Sequence, residues 1–110
     1  MIDDSINHEY IIRYLRENFK EPTPLLASMR RFADENDIPI AEPETAALLR
    51  FLCGVKKPER ILEIGTAIAY SSILMAGSCS AEIVTLERNE EMYSLAGKFI
   101  GQAGFEDRIK

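Results

Sequence analysis

The sequence predicts an α/β fold in which three helices lead into the first half of a doubly wound parallel sheet. Three observations predict it. Apolar residues before position 54 recur at helical spacing and include no strand-like run. Two short apolar or β-branched runs, at 60–64 and 82–87, follow with a helical pattern between them. A glycine-containing loop, Glu63-Ile64-Gly65-Thr66-Ala67-Ile68-Ala69-Tyr70-Ser71, joins the first run to that helix. A strand–helix–strand order of this kind makes a right-handed parallel crossover.

The leading helices are read in order. Ile6, Tyr10 and Tyr14, together with Ile11, Leu15 and Phe19, predict an amphipathic first helix. Glu21-Pro22-Thr23-Pro24 breaks it, because the residue before a proline is pushed out of the helical region. A second helix carries Leu25, Met29 and Phe32 and fades at the polar run 34–37. After an extended Ile38-Pro39-Ile40, Pro43 opens a third helix with Ala46, Ala47, Leu49 and Phe51 on it, and Gly54 is its expected stop. This divides the chain into a helical segment, 1–54, and a sheet-forming segment, 55–110, of one domain.

The run at 60–64 reads as a buried parallel strand. A helix is expected from Tyr70 to about Cys79, with Ile73, Leu74 and Ala76 turned inward. The second strand, 82–87, is followed by Asn89 as a helix cap. The helix it caps runs to about Gln102, with Met92, Leu95, Ala96 and Phe99 on its buried side, and Gly104 ends it. Residues 105–110 read as the approach to a third strand.

Composition narrows the function. A net charge of −5 argues against broad capture of nucleic acid. Between His8 and Arg31, however, Arg13, Arg16, Lys20, Arg30 and Arg31 outnumber Glu9, Glu17 and Glu21; this face is either solvated helix surface or a patch for an anionic acceptor such as RNA. No apolar run approaches the roughly 20 residues of a membrane span. The acidic start, Met1-Ile2-Asp3-Asp4, differs from a signal peptide, so a cytoplasmic protein is expected. Cys53 and Cys79 are read as small buried hydrophobes of a reducing compartment, and His8 lacks companions for a zinc site.

The loop at 63–71 lies at the carboxyl end of a strand and opens a helix, where open α/β sheets bind ligands. Gly65 permits a tight turn. The free N–H groups of the following helix favour a carboxylate or phosphate, and Ser71 can donate to the same anion or cap the helix. Glu87 stands 22 residues beyond Gly65, at the end of the second strand, where a carboxylate can accept both hydroxyls of a ribose. The alternative is that Glu63 and Glu87 merely end strands in solvent. A nucleoside with an anionic tail is implied, and a dinucleotide fits poorly because the loop lacks G-x-G-x-x-G.

Residues 61–73, Ile-Leu-Glu-Ile-Gly-Thr-Ala-Ile-Ala-Tyr-Ser-Ser-Ile, resemble motif I of the catechol and caffeoyl-CoA O-methyltransferase family. They are most similar to its bacterial branch, which includes the tRNA 5-hydroxyuridine methyltransferases. Residues 38–44 resemble the segment ahead of the third helix in that branch, so the resemblance covers nearly the whole chain. It implies a Rossmann-like class I fold that binds S-adenosyl-L-methionine. By resemblance, Glu63 and Gly65 line the methionine end, Ser71 holds the carboxylate and Glu87 the ribose. Thr66, Ala67 and Tyr70 shape the loop, Ala41 lies near the cofactor, and Arg88 flanks the adenine. The family has glycine where Ala69 stands; the added methyl is harmless at negative φ and costly in a left-handed turn.

The resemblance implies methyl transfer to a hydroxyl, on a small phenolic molecule or a hydroxyuridine in tRNA, by a homodimer. The family's divalent metal, Mg²⁺, and its catalytic residues match nothing in these 110 residues. An inactive N-terminal portion is therefore expected, with no catalytic or metal-binding residue assigned. The alternatives are a dinucleotide-binding part of an oxidoreductase and a non-catalytic interaction module that pairs through an open sheet edge.

Overall fold

The computed structural model describes residues 8–110; Ile6 and the acidic start lie outside them. Five helices and two strands follow in the order α1 (Glu9–Asn18), α2 (Pro24–Glu35), α3 (Pro43–Lys56), β1 (Arg60–Ile64), α4 (Tyr70–Ala76), β2 (Glu82–Leu86) and α5 (Glu90–Ala103). The strands pair in parallel, Leu62 opposite Val84 and Ile64 opposite Leu86. On the other side of β2, Ile83 makes a parallel bridge to Ile109, so the chain end does approach the sheet as a third strand. None of the helices among the described residues is long and apolar enough to cross a membrane.

Local chemistry sets the helix starts. The Thr23 hydroxyl accepts the Leu26 amide and caps α2, with Pro24 as the first helical residue. Asn89 caps α5 through the Met92 amide, and Gly104 closes that helix at φ 75°. Helix α4 is the hub. It touches α2, α3 and β2, which is why all seven of its residues except Ser71 are buried.

Several expectations are corrected. Gly54 does not stop α3; the helix runs to Lys56 and turns at Lys57, which is left-handed at φ 48° just before Pro58. On α3 the buried side is Ala46 and Cys53, whereas Ala47 and Phe51 are exposed. On α1 the fully buried residue is Ile12, between the two expected stripes, and Tyr10 and Tyr14 face outward. Helix α4 ends at Ala76, three residues before Cys79.

The strand at 60–64 is not buried on both faces. Ile61 and Ile83 turn toward the helices, but Leu62, Ile64, Val84 and Leu86 form an apolar face left uncovered by the described residues, Ile64 being 80% exposed. The two cysteines, distant in sequence, are neighbours in the fold. Burial, and then the adjacent Cys79 sulfur, push the Cys53 thiol above its ordinary pKa.

Candidate functional site

The turn after β1 is fastened to the end of β2. Gly65, at φ 93°, and Thr66 both donate their amides to the Leu86 carbonyl, at 2.8 and 3.2 Å. Beneath the turn, the Thr66 and Thr85 hydroxyls meet at 2.6 Å. One carboxylate oxygen of Glu63 accepts from Thr85 at 2.8 Å and from Ser72 at 2.5 Å. A carboxylate on β1 thereby ties together β1, β2 and α4.

Above the turn, Glu87 reaches across. Its Oε1 accepts the Ala67 amide at 2.8 Å, and its Oε2 accepts the Asn89 amide at 3.0 Å. The Asn89 N–H, then that of Ala67, hold this carboxyl below the usual carboxylate range; the Arg88 amide and guanidinium add smaller contributions. A carboxylate has about four acceptor sites, so acceptor capacity remains for a ligand hydroxyl.

The loop carries two left-handed non-glycine residues, Ala67 at φ 48° and Ala69 at φ 77°. The condition set by the sequence is therefore met on its costly side, because Ala69 occupies the conformation that favours glycine. The turn closes through the Ala69 amide on the Thr66 carbonyl at 2.9 Å.

Six of the nine expected residues, Ala41, Gly65, Thr66, Ala67, Tyr70 and Ser71, line one cavity of about 190 Å³ together with Pro39 and Ile40. The Ser71 hydroxyl has no partner among the described residues. Glu87 borders a second cavity, of about 290 Å³, which Thr66 also lines, so the two adjoin at that residue. Glu63 and Arg88 line neither: Glu63 is held under the loop and Arg88 is exposed. A larger groove, of about 800 Å³, lies between α2, α3 and the ends of α4 and α5. Arg50 is the only charged residue among the described residues that line it, and none of them comes from the loop.

Sequence reasoning missed two polar residues behind the loop. Glu21 and Arg30 both bond the Tyr70 hydroxyl, across 49 and 40 residues of chain, a separation that no local pattern signals. They also alter the basic face. Arg30 is paired with Glu21, Arg16 with Glu42 and Glu44, and Arg13 with Glu9.

Known proteins share this fold. The sequence profile of the O-methyltransferase family matches residues 16–110. A protein-L-isoaspartate O-methyltransferase from Christiangramia forsetii is 29% identical over 72 residues, 66% of this chain and 33% of that protein. Among solved structures, a protein described as a caffeoyl-CoA O-methyltransferase from Staphylococcus aureus is 31% identical with a TM-score of 0.77; the match covers 96% of this chain and 49% of that one. An O-methyltransferase from Bacillus cereus in complex with SAH is 25% identical with a TM-score of 0.77, covering 92% and 48%. The chain thus spans about a third of the curated relative and about half of each solved structure. With the profile matched from α1 to the last residue, the chain belongs to the O-methyltransferase family.

Proposed function

We propose that this chain is the cofactor-binding part of an S-adenosyl-L-methionine-dependent O-methyltransferase. One observation carries the reading: Glu87, at the end of β2, bonds the amide of Ala67 in the loop that follows β1. This bond sets the carboxylate expected to hold the ribose against the loop expected to hold the methionine end, across two cavities that adjoin at Thr66. The bound sulfonium supplies an electrophilic methyl group.

The residues divide the task by chemistry. Gly65 turns the backbone so that the ligand approaches it closely. The Ser71 hydroxyl, which has no partner among the described residues, donates to the ligand carboxylate at the start of α4. Glu87 accepts the ribose hydroxyls, and Arg88 beside it flanks the adenine. Ala41, Thr66, Ala67 and Tyr70 wall the crevice. Glu63 acts at the methionine end from beneath, by fixing Ser72 and Thr85.

The acceptor proposed is a small phenolic hydroxyl rather than tRNA, because carboxylates pair with Arg13, Arg16 and Arg30, three of the five basic residues of the face that would meet RNA. Among the described residues no three His, Cys, Asp or Glu side chains converge to hold a cation. The 110 residues alone are expected to bind cofactor without turnover. Calorimetric titration tests the reading. S-adenosylhomocysteine should bind, NADH should not, and Glu87→Ala should weaken binding at least tenfold, the effect of losing about 1.4 kcal/mol. Preference for NADH would restore the oxidoreductase alternative.

A second reading, self-association, is favoured by the uncovered apolar face of Leu62, Ile64, Val84 and Leu86. It is compatible with the first and is tested by sedimentation.

A further inference from the structure

Tyr70 follows the left-handed Ala69 directly and is 1% exposed. Its hydroxyl donates to both oxygens of Glu21, at 2.7 and 3.0 Å. Arg30 Nη2 donates to the same phenolic oxygen at 3.0 Å, and Arg30 Nε to Glu21 Oε1 at 3.0 Å. The guanidinium also lies 4.7 Å from the centre of the Tyr70 ring. The Glu21 and Arg30 side chains are only 13% and 16% exposed. Burial, then the bond to Glu21, raise the Tyr70 pKa well above its ordinary value, so the phenol remains a donor at neutral pH.

A non-glycine residue persists in the left-handed region only where its surroundings over-determine it. The front of the loop is held by the Leu86 carbonyl and by Glu87. Its far end has no side-chain cap, since Ala69 occupies the cap position of α4. The next side chain that could anchor it is Tyr70.

We propose that Glu21 and Arg30 are positioning residues, which hold the ligand loop in its left-handed form through Tyr70. They make α2 and the turn before it part of the binding machinery, although neither residue lines the crevice. The loop-holding role stands on geometry; its consequence for affinity rests on the cofactor reading above.

The test compares Tyr70→Phe, Glu21→Gln and Arg30→Met with Ile83→Val, a core change in β2 that touches none of the hydrogen bonds among the three residues. Amide exchange of Ala67 and Ala69 is followed by NMR without ligand, and S-adenosylhomocysteine affinity by calorimetry. The three variants should speed exchange at Ala67 and Ala69 about tenfold more than at β2 amides and weaken affinity about tenfold, as expected for a lost bond to a charged group. Ile83→Val should speed all these amides alike and leave affinity unchanged. Glu21→Gln, the mildest change, keeps the comparison valid if Tyr70→Phe fails to fold. Uniform exchange in every variant, or loosened loop amides with unaltered affinity, would overturn the positioning role. If the unmodified chain does not bind S-adenosylhomocysteine, the cofactor reading falls while the exchange data still decide whether the three residues hold the loop.

Discussion

The Glu87 carboxylate bonds the Ala67 amide at 2.8 Å, linking the end of β2 to the loop that leaves β1. The carboxylate and the loop are thereby pre-set against each other. Because the backbone N–H bonds favour the ionised form, the folded pKa of Glu87 lies below its unfolded value.

That shift has a defined sign. Stability contributed by Glu87 is fully present above the ordinary value of 4.5 and is lost as the pH falls through the lower folded value. In Glu87→Gln this acid-side loss should shrink, so the difference between the proteins narrows below pH 4.5. Urea unfolding at a series of pH values checks it. An unchanged difference from neutral to strongly acid pH would show that the carboxylate's charge does not matter.

At Ala69 two effects oppose each other. The left-handed backbone costs about 1–2 kcal/mol. Its methyl is fully buried, which returns about 0.8 kcal/mol, and alanine also restricts the unfolded chain by about 0.4–1 kcal/mol relative to glycine. Ala69→Gly should therefore change stability by less than about 1 kcal/mol. Ala69→Val combines a β-branched residue at positive φ with overpacking and should cost more than about 2 kcal/mol. Thermal unfolding separates these outcomes. A clearly stabilised Ala69→Gly would mean that the strain outweighs the buried methyl.

Thr85 links the Thr66 hydroxyl and Glu63 beneath the loop. Thr85→Val keeps the shape but removes the donor to a carboxylate and the partner of a buried hydroxyl. The expected loss is about 1–3 kcal/mol, read as a lower urea midpoint at unchanged m-value. A loss below about 0.5 kcal/mol would place these bonds in the range of ordinary surface changes.

Legibility in the sequence followed the range of the physics. Local patterns located β1 residue for residue, the Asn89 cap and the left-handed Gly104, because each depends on neighbours in the chain. Gly54 misled because a helix tolerates an interior glycine; the nearer signal was Pro58, which ends α3 one residue after Lys57. Gly65, Thr66, Ala67, Tyr70 and Ser71 line one cavity because the loop is continuous in sequence, whereas Ala41 joins them only through the packing of the fold. The Glu21–Arg30–Tyr70 cluster and the meeting of Cys53 with Cys79 arise only when helices pack. The apolar run at 60–64 reads as a buried parallel strand, but the described residues cover only the face that carries Ile61 and Glu63.

Among the described residues nothing covers one face of the sheet. Leu62 and Val84 sit opposite each other on it, as do Ile64 and Leu86, so four large apolar side chains form one continuous strip. Such a strip favours association, since the apolar area removed from water stabilises a complex by about 25 cal/mol per Å² before the costs of binding. The chain should therefore sediment above its 12.4 kDa monomer mass. Leu62→Lys should return it to monomer with a stability change within about 0.5 kcal/mol, because Leu62 is already 66% exposed and its removal opens no cavity. S-adenosylhomocysteine binding should survive in that variant, as the strip lies outside both cavities that border the loop. Monomeric sedimentation of the unmodified chain at every concentration tested would exclude the strip as a self-association surface.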